Sequence, residues 1–204
     1  MSWLKKIVPS GTTNPNQLPI VLCADVSAST FASSYAVSKI TESIYNSMKL
    51  MFDNLNLIMW AKGAKVVEEE NNQEIFYQYE IISRYGTEPD SILDDEKCRQ
   101  VFSSAQVLVF TTDGEIYNDV VNKFALKVKE YLSNKVLVIC ISLRKYHQKL
   151  DLSVFSPLMS VANLIIADCV ACNSRQCSES LFLNIVYCKG DVPYHNHKNI
   201  DLKN

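Results

Sequence analysis

Three observations predict a doubly wound α/β fold with a mainly parallel sheet. Strand-like apolar runs alternate with helical patterns along most of the chain. Several runs, such as Leu18 to Ala24, are continuous rather than alternating, as strands covered on both faces are. Two of the runs end in aspartate, Asp25 and Asp113, which brings acidic side chains to one edge of the sheet. At 204 residues, with 48% hydrophobic and 21% charged residues, the chain fits one globular domain with a sizeable core.

The elements follow in order. After a polar lead-in over residues 1–17, Leu18 to Ala24 forms the first strand. Val37, Ile40, Ile44, Met48 and Met51 recur at helical spacing and predict an amphipathic helix from about Ser33 to Phe52. Asn56 to Val67 and Glu74 to Ser83 read as two strands joined by the turn Asn71-Asn72-Gln73, an antiparallel pair near a sheet edge. Pro89 and Asp90 open a helix reaching about Phe102.

Gln106 to Thr111 is a second buried strand, and Val120, Val121, Phe124, Val128 and Tyr131 mark the helix after it. Strands at Lys135 to Leu143 and Asn163 to Cys169 enclose a helical segment near Leu152 to Val161. The main domain therefore spans 18–172. Residues 173–204 form an extension in which Leu181 to Tyr187 is apolar enough to pack and the end from Asp191 is a polar tail.

The net charge is −2, and Lys and Arg are spread among Asp and Glu without a basic block. That excludes the electrostatic footprint expected for nucleic acid or an anionic membrane surface. Residues 1–9 lack a continuous apolar leader core, and no apolar stretch approaches the length of a bilayer span. The chain reads as cytoplasmic. Seven cysteines, an odd number, fit reduced thiols better than a disulfide framework, with Cys23 and Cys140 as small core residues.

The chemistry concentrates at two strand ends. Asp25-Val26-Ser27-Ala28-Ser29 places a carboxylate and two hydroxyls in one short loop, an oxygen donor set that suits a hard divalent cation. Thr112-Asp113-Gly114 brings a second carboxylate. In the strand order 3-2-1-4-5-6, strands one and four flank the crevice where the order reverses, the place where ligands gather. Asp25 and Asp113 would face each other there and repel unless a cation or a proton intervenes.

In these residues the sequence resembles a von Willebrand factor type A (vWA) domain with a metal-ion-dependent adhesion site (MIDAS), of the intracellular type. The family's D-x-S-x-S motif stands as Asp25, Ser27 and Ser29, its threonine loop as Tyr85-Gly86-Thr87, and its T-D-G as Thr112-Asp113-Gly114. The resemblance covers roughly Leu18 to Ala171 and implies the order 3-2-1-4-5-6 with one antiparallel edge strand. It implies that Ser27, Ser29 and Thr87 ligate Mg²⁺ or Mn²⁺, with Asp25 and Asp113 supplying charge largely through bridging waters. It also implies an adaptor that binds an Asp or Glu of a partner protein, with multi-protein assemblies, including those built around AAA+ ATPases, as partners.

The chain departs from the family where Ala28 and Tyr85 replace glycines. Tyr85 would narrow the mouth of the site. Glu88 and Glu115, if turned toward the ion, would fill its open position. The plain reading of Ser27, Ser29 and Thr87 is helix capping and turn chemistry. For Phe31, Tyr85 and Tyr117, lid packing over the core competes with a recognition role.

The alternative function is a metal-dependent phosphoryl-transfer or hydrolytic enzyme on the same scaffold. Against it, the first strand ends in D-x-S rather than D-x-D, no His or Cys accompanies the site, and no phosphate-loop motif occurs. A non-enzymatic module is the expectation. A third reading is a domain that has lost metal and binds through other surfaces. Cys169, Cys172, Cys177 and Cys188, with His195 and His197 beyond, could hold Zn²⁺, but their spacing fits none of the strong templates and reduced thiols are expected. His147, beside Lys145 and Lys149, reads as a solvated loop residue.

Overall fold

A computed structural model describes residues 17–32, 35–68, 85–114, 116–132, 136–145, 149–160, 163–171, 182–189 and 200–201. Its strands are β1 (Ile20–Asp25), β2 (Leu55–Trp60), β3 (Ala64–Val67), β4 (Val107–Thr112), β5 (Leu137–Lys145), β6 (Asn163–Ala171), β7 (Phe182–Lys189) and β8 (Ile200–Asp201). They join in the order β3-β2-β1-β4-β5-β6-β7-β8. Neighbours from β2 to β6 are parallel, whereas β3, β7 and β8 each run antiparallel to the strand before them in the chain. The order therefore reverses between β1 and β4, as the sequence predicts.

The helices are α1 (Ala28–Ala32), α2 (Tyr35–Lys49), α3 (Ser91–Asp94), α4 (Glu96–Ser104) and α5 (Asn118–Tyr131), with a 3₁₀ segment at Ser153–Ser160. The continuous apolar strands are explained by two cores. Ile20, Leu22 and Ala24 face one core with Ile44, Tyr45 and Met48 of α2. Val21 and Cys23 face the other with Phe102 of α4 and Phe124 and Val128 of α5. Each such large side chain contributes about 1.5–3 kcal/mol by leaving water.

Trp60 and Phe110 stack with ring centroids 5.2 Å apart, and Phe110 and Phe124 with centroids 5.7 Å apart. β1 lies between Trp60 and Phe110, and there Cys23 sits in register with Phe110. A small side chain at that position leaves room for the rings to meet over it.

Three expectations change. Asn56 to Val67 is not one strand: the chain reverses at Ala61-Lys62-Gly63, where the Ala61 amide donates to the Gly63 carbonyl at 2.8 Å, so β2 and β3 already form the edge hairpin. The expected strand Glu74 to Ser83 lies outside the described residues. The helix expected from Pro89 to Phe102 breaks at Asp95, whose backbone is extended and whose carboxylate accepts from the Cys98 amide at 2.8 Å. Asp is a strong N-cap, and here capping a new helix wins over continuing the old one. Finally, β7 adds to the sheet beyond the six expected strands, and Ile200 and Asp201, inside the expected polar tail, pair with Leu183 and Phe182.

Candidate functional site

β1 and β4 are in register, Ala24 opposite Thr111, so Asp25 and Thr112 end adjacent strands side by side. Strand alternation turns both toward the core face that also holds Cys23 and Phe110. Asp25 and Asp113 are each only 2% exposed. The Thr112 hydroxyl donates to Asp25 Oδ2 at 2.7 Å, and the Ser27 amide donates to Asp25 Oδ1 at 2.9 Å. Thr112 Oγ1 in turn accepts from the Gly114 amide at 3.1 Å. The Asp25 loop and the Asp113 loop are thereby tied to one another.

The hydroxyls of the Asp25 loop are set by its backbone. The Val26 amide extends the ladder to the Trp60 carbonyl at 2.9 Å, and the Thr30 hydroxyl donates to the Ser27 carbonyl at 2.8 Å. Ser27 Oγ and Ser29 Oγ then lie 3.0 Å apart. No described residue other than glycine has positive φ, so Ala28, the first residue of α1, stands where the family has glycine without backbone strain.

Thr87 lies in a loop held against the end of the neighbouring strand β2. The Glu88 amide donates to the Ala61 carbonyl at 2.8 Å, which pins the loop to the end of β2, and Trp60 is the register partner of Asp25. Gly86 holds φ of 119°, and a Cβ there would stand 3.2 Å from Lys62 Cβ. Glycine is needed at this approach for both reasons. Glu88 Oε1 lies 3.5 Å from that same Cβ position, beside Lys62. Glu115 lies outside the described residues.

The carboxylates repel. Burial, and secondarily the charge of Asp113, push the Asp25 pKa up from the ordinary value to about 7, against the opposing pull of the Thr112 and Ser27 hydrogen bonds. A cation between them would remove that penalty. The donor set of two carboxylates with the hydroxyls of Ser27, Ser29 and Thr87 fits a hard divalent ion in its chemistry. Among the described residues, no group of three or more His, Cys, Asp and Glu converges as a metal site, at this crevice or away from it, so the fit rests on two carboxylates and the neighbouring hydroxyls.

The structure brings Asp25, Ser27, Ser29 and Asp113 together and stands Thr87 on the adjoining loop. Sequence reading missed the part played by Thr112 beyond its place in the T-D-G motif. It also passed over Ser142 and Asp168, both buried, which continue the row from Thr112 across β5 and β6. Their signal was a polar residue interrupting each apolar run. Lid packing does not hold for Tyr85 and Tyr117, which are 84% and 82% exposed. The side chain of Phe31 lies outside the described part of the structure.

The cysteine constellation does not assemble as a zinc site from its described members. Cys169 packs into the first core, and burial pushes its thiol pKa up to about 12. Cys188 is in register with Ile165, four residues back along β6, which separates it from Cys169 by about 13 Å along the ladder. Two ligands of one zinc ion lie within about 4 Å of each other. Cys172, Cys177, His147, His195 and His197 lie outside the described residues. Cys23 and Cys140 are buried core thiols, as expected.

Fold and site together define a doubly wound α/β domain whose switch-point crevice holds paired buried carboxylates beside a cluster of hydroxyls. No protein-family model and no curated protein matches the chain. It is similar to solved structures of proximal thread matrix protein 1 from the mussel byssus. One crystal form shares 15% identity over 71% of this chain and 42% of that one, with a TM-score of 0.48. A second structure shares 16% over 70% and 40%, with a TM-score of 0.46. A third, described with a zinc-occupied MIDAS motif, shares 14% over 74% and 44%, with a TM-score of 0.49. This chain thus spans less than half the length of that protein. The fold assignment rests on strand order and register, not on this likeness. Among the described residues, no helix is long and apolar enough to cross a membrane.

Proposed function

We propose that the chain is a divalent-metal-dependent protein-protein interaction module that acts by binding rather than by turnover. Mg²⁺ or Mn²⁺ would be held at the crevice by Ser27, Ser29 and Thr87, with Asp25 and Asp113 neutralising its charge. When bound, the ion supplies an electrophilic position that accepts a carboxylate. Mg²⁺ keeps several of its waters, and one of these is what an Asp or Glu of a partner protein would replace.

The observation that carries this reading is the juxtaposition of buried Asp25 and Asp113, close enough for the second to raise the pKa of the first, with Ser27 Oγ and Ser29 Oγ 3.0 Å apart in the same loop. The three-motif resemblance to vWA domains supports it. The neighbouring residues hold this arrangement in place. Thr112 orients Asp25, Thr30 fixes the turn that presents Ser27, and Gly86 lets the Thr87 loop approach Lys62.

The test is affinity capture from a matched cell extract in Mg²⁺ and in EDTA, with Ser27→Ala/Ser29→Ala alongside. A protein retained only by the wild type in Mg²⁺ is the expected result. The same catch in all three arms contradicts the reading.

A further inference from the structure

We propose that Lys127 is a positioning residue for the crevice: its ammonium ties the segment that carries Thr87 to α5, the helix that follows the Asp113 loop, and so fixes where Thr87 stands. The inference rests on the metal-dependent reading above and adds a residue outside the crevice on which one of the ligands depends.

Two tethers follow Thr87 closely. The Glu88 amide donates to the Ala61 carbonyl, at the end of β2, at 2.8 Å. Two residues on, Asp90 Oδ2 accepts from Lys127 Nζ at 3.1 Å, and the same ammonium donates to both carboxylate oxygens of Asp94, at 2.6 and 2.7 Å. The chain between the tethers has little freedom. Pro89 fixes its own φ, the Ser91 amide donates to the Glu88 carbonyl at 3.0 Å, and the Ile92 amide donates to the Pro89 carbonyl at 3.2 Å. The Glu88 tether fixes one point of the segment, and the Asp90 tether fixes its direction. A shift of Asp90 is therefore passed back to Thr87.

The far end of the tie is firmly placed. Lys127 stands one turn past Phe124 on α5 and directly before Val128, both of which are buried in the second core. Phe124 stacks on Phe110, two residues before Thr112 in β4, and Thr112 holds the Asp25 carboxylate. Lys127 thus joins the Thr87 segment to the strand and helix on which the carboxylate side of the crevice is built.

The two acidic partners differ in what they contribute. The Asp94 side chain is 63% exposed, and water screens its pairing. The Asp90 side chain is 11% exposed, so its charge needs a partner to remain where it is. Without the ammonium, Asp90 would turn toward water and take the start of α3 with it.

A second tie holds the same helices away from Thr87. Arg99 of α4 donates through Nη1 to the Leu93 carbonyl at 3.2 Å, and its guanidinium lies 5.7 Å from the Tyr131 ring centroid on α5. Cutting this one loosens the helices without touching Asp90, which makes it the control.

The test is calorimetric titration of Mn²⁺ into the full chain, with thermal melts in EDTA to report folding. Thr87→Ala is expected to weaken binding about tenfold, and Lys127→Met by about the same factor, because each takes away the same ligand. Combined, the two should weaken binding no more than either alone. Arg99→Met should lower the melting temperature and leave the effect of Thr87→Ala at its full size. Where Lys127→Met does not fold, Asp90→Asn/Lys127→Met, which leaves no buried charge alone, takes its place in the comparison. Losses that multiply in the combined variant overturn the inference, as does Arg99→Met abolishing the effect of Thr87→Ala, or Thr87→Ala binding as tightly as the wild type. In each of these cases the metal reading stands if Ser27→Ala/Ser29→Ala abolishes binding. Failure of the wild type to bind Mn²⁺ overturns the metal reading and this inference with it.

Discussion

The Thr112 hydroxyl donates to Asp25 Oδ2 at 2.7 Å across the gap between β4 and β1. It joins the two strands at the point where the sheet order reverses, and it holds a buried carboxylate in one orientation. Thr112→Val keeps the shape of the side chain but removes the donor. It should lower stability by about 1–3 kcal/mol, because Asp25 is left short of a partner in a buried site. Urea unfolding of the two proteins at neutral pH measures this directly.

Asp25 sets the pH dependence of the metal-free domain. Its pKa in the folded state, about 7, lies above the ordinary 3.8. Between those values the folded state holds a proton that the unfolded state has released, so stability falls as pH rises through the window and levels off above it. The gap corresponds to at most roughly 4 kcal/mol. In EDTA, Asp25→Asn should flatten this slope and stabilise the protein above pH 7. Thermal melts from pH 4 to pH 8 give the comparison.

The aromatic stack makes the second core sensitive to truncation. Phe110 is fully buried and stacks on both Trp60 and Phe124. Phe110→Ala should lower stability by about 3–5 kcal/mol, where Phe110→Leu loses distinctly less because it keeps most of the volume. Denaturant midpoints at constant slope separate the two.

Capping at the α3–α4 break is a local matter. Asp95→Ala removes the acceptor for the Cys98 amide, which should destabilise by about 1 kcal/mol. The hydrogen bond from the Cys98 amide is also the main reason the Asp95 pKa lies below its ordinary value. That contribution is present above pH 4 and fades as pH falls through the lowered pKa. Stability of Asp95→Ala and wild type should therefore converge at acid pH.

Much of this was legible because strand ends and buried runs leave plain sequence signals. Leu18 to Ala24 and Gln106 to Thr111 are continuous because both faces are covered, and Asp25 and Asp113 stand where each run stops. The turn at Ala61-Lys62-Gly63 was not legible, since apolar residues on both sides hide it inside what looks like one long strand. Asp95 was missed because a single capping residue inside a helical pattern resembles any exposed position. Thr112, Ser142 and Asp168 form a row only once register is known, and register comes from packing rather than from spacing along the chain.

In the function proposed above, the Asp25 crevice binds a divalent ion through its hydroxyl loop. Calorimetric titration of Mn²⁺ into the wild type and into Ser27→Ala/Ser29→Ala at pH 7.5 tests it most directly. One ion bound per chain by the wild type and none by the variant is the predicted result. Equal binding by both, or binding by neither, would contradict the account.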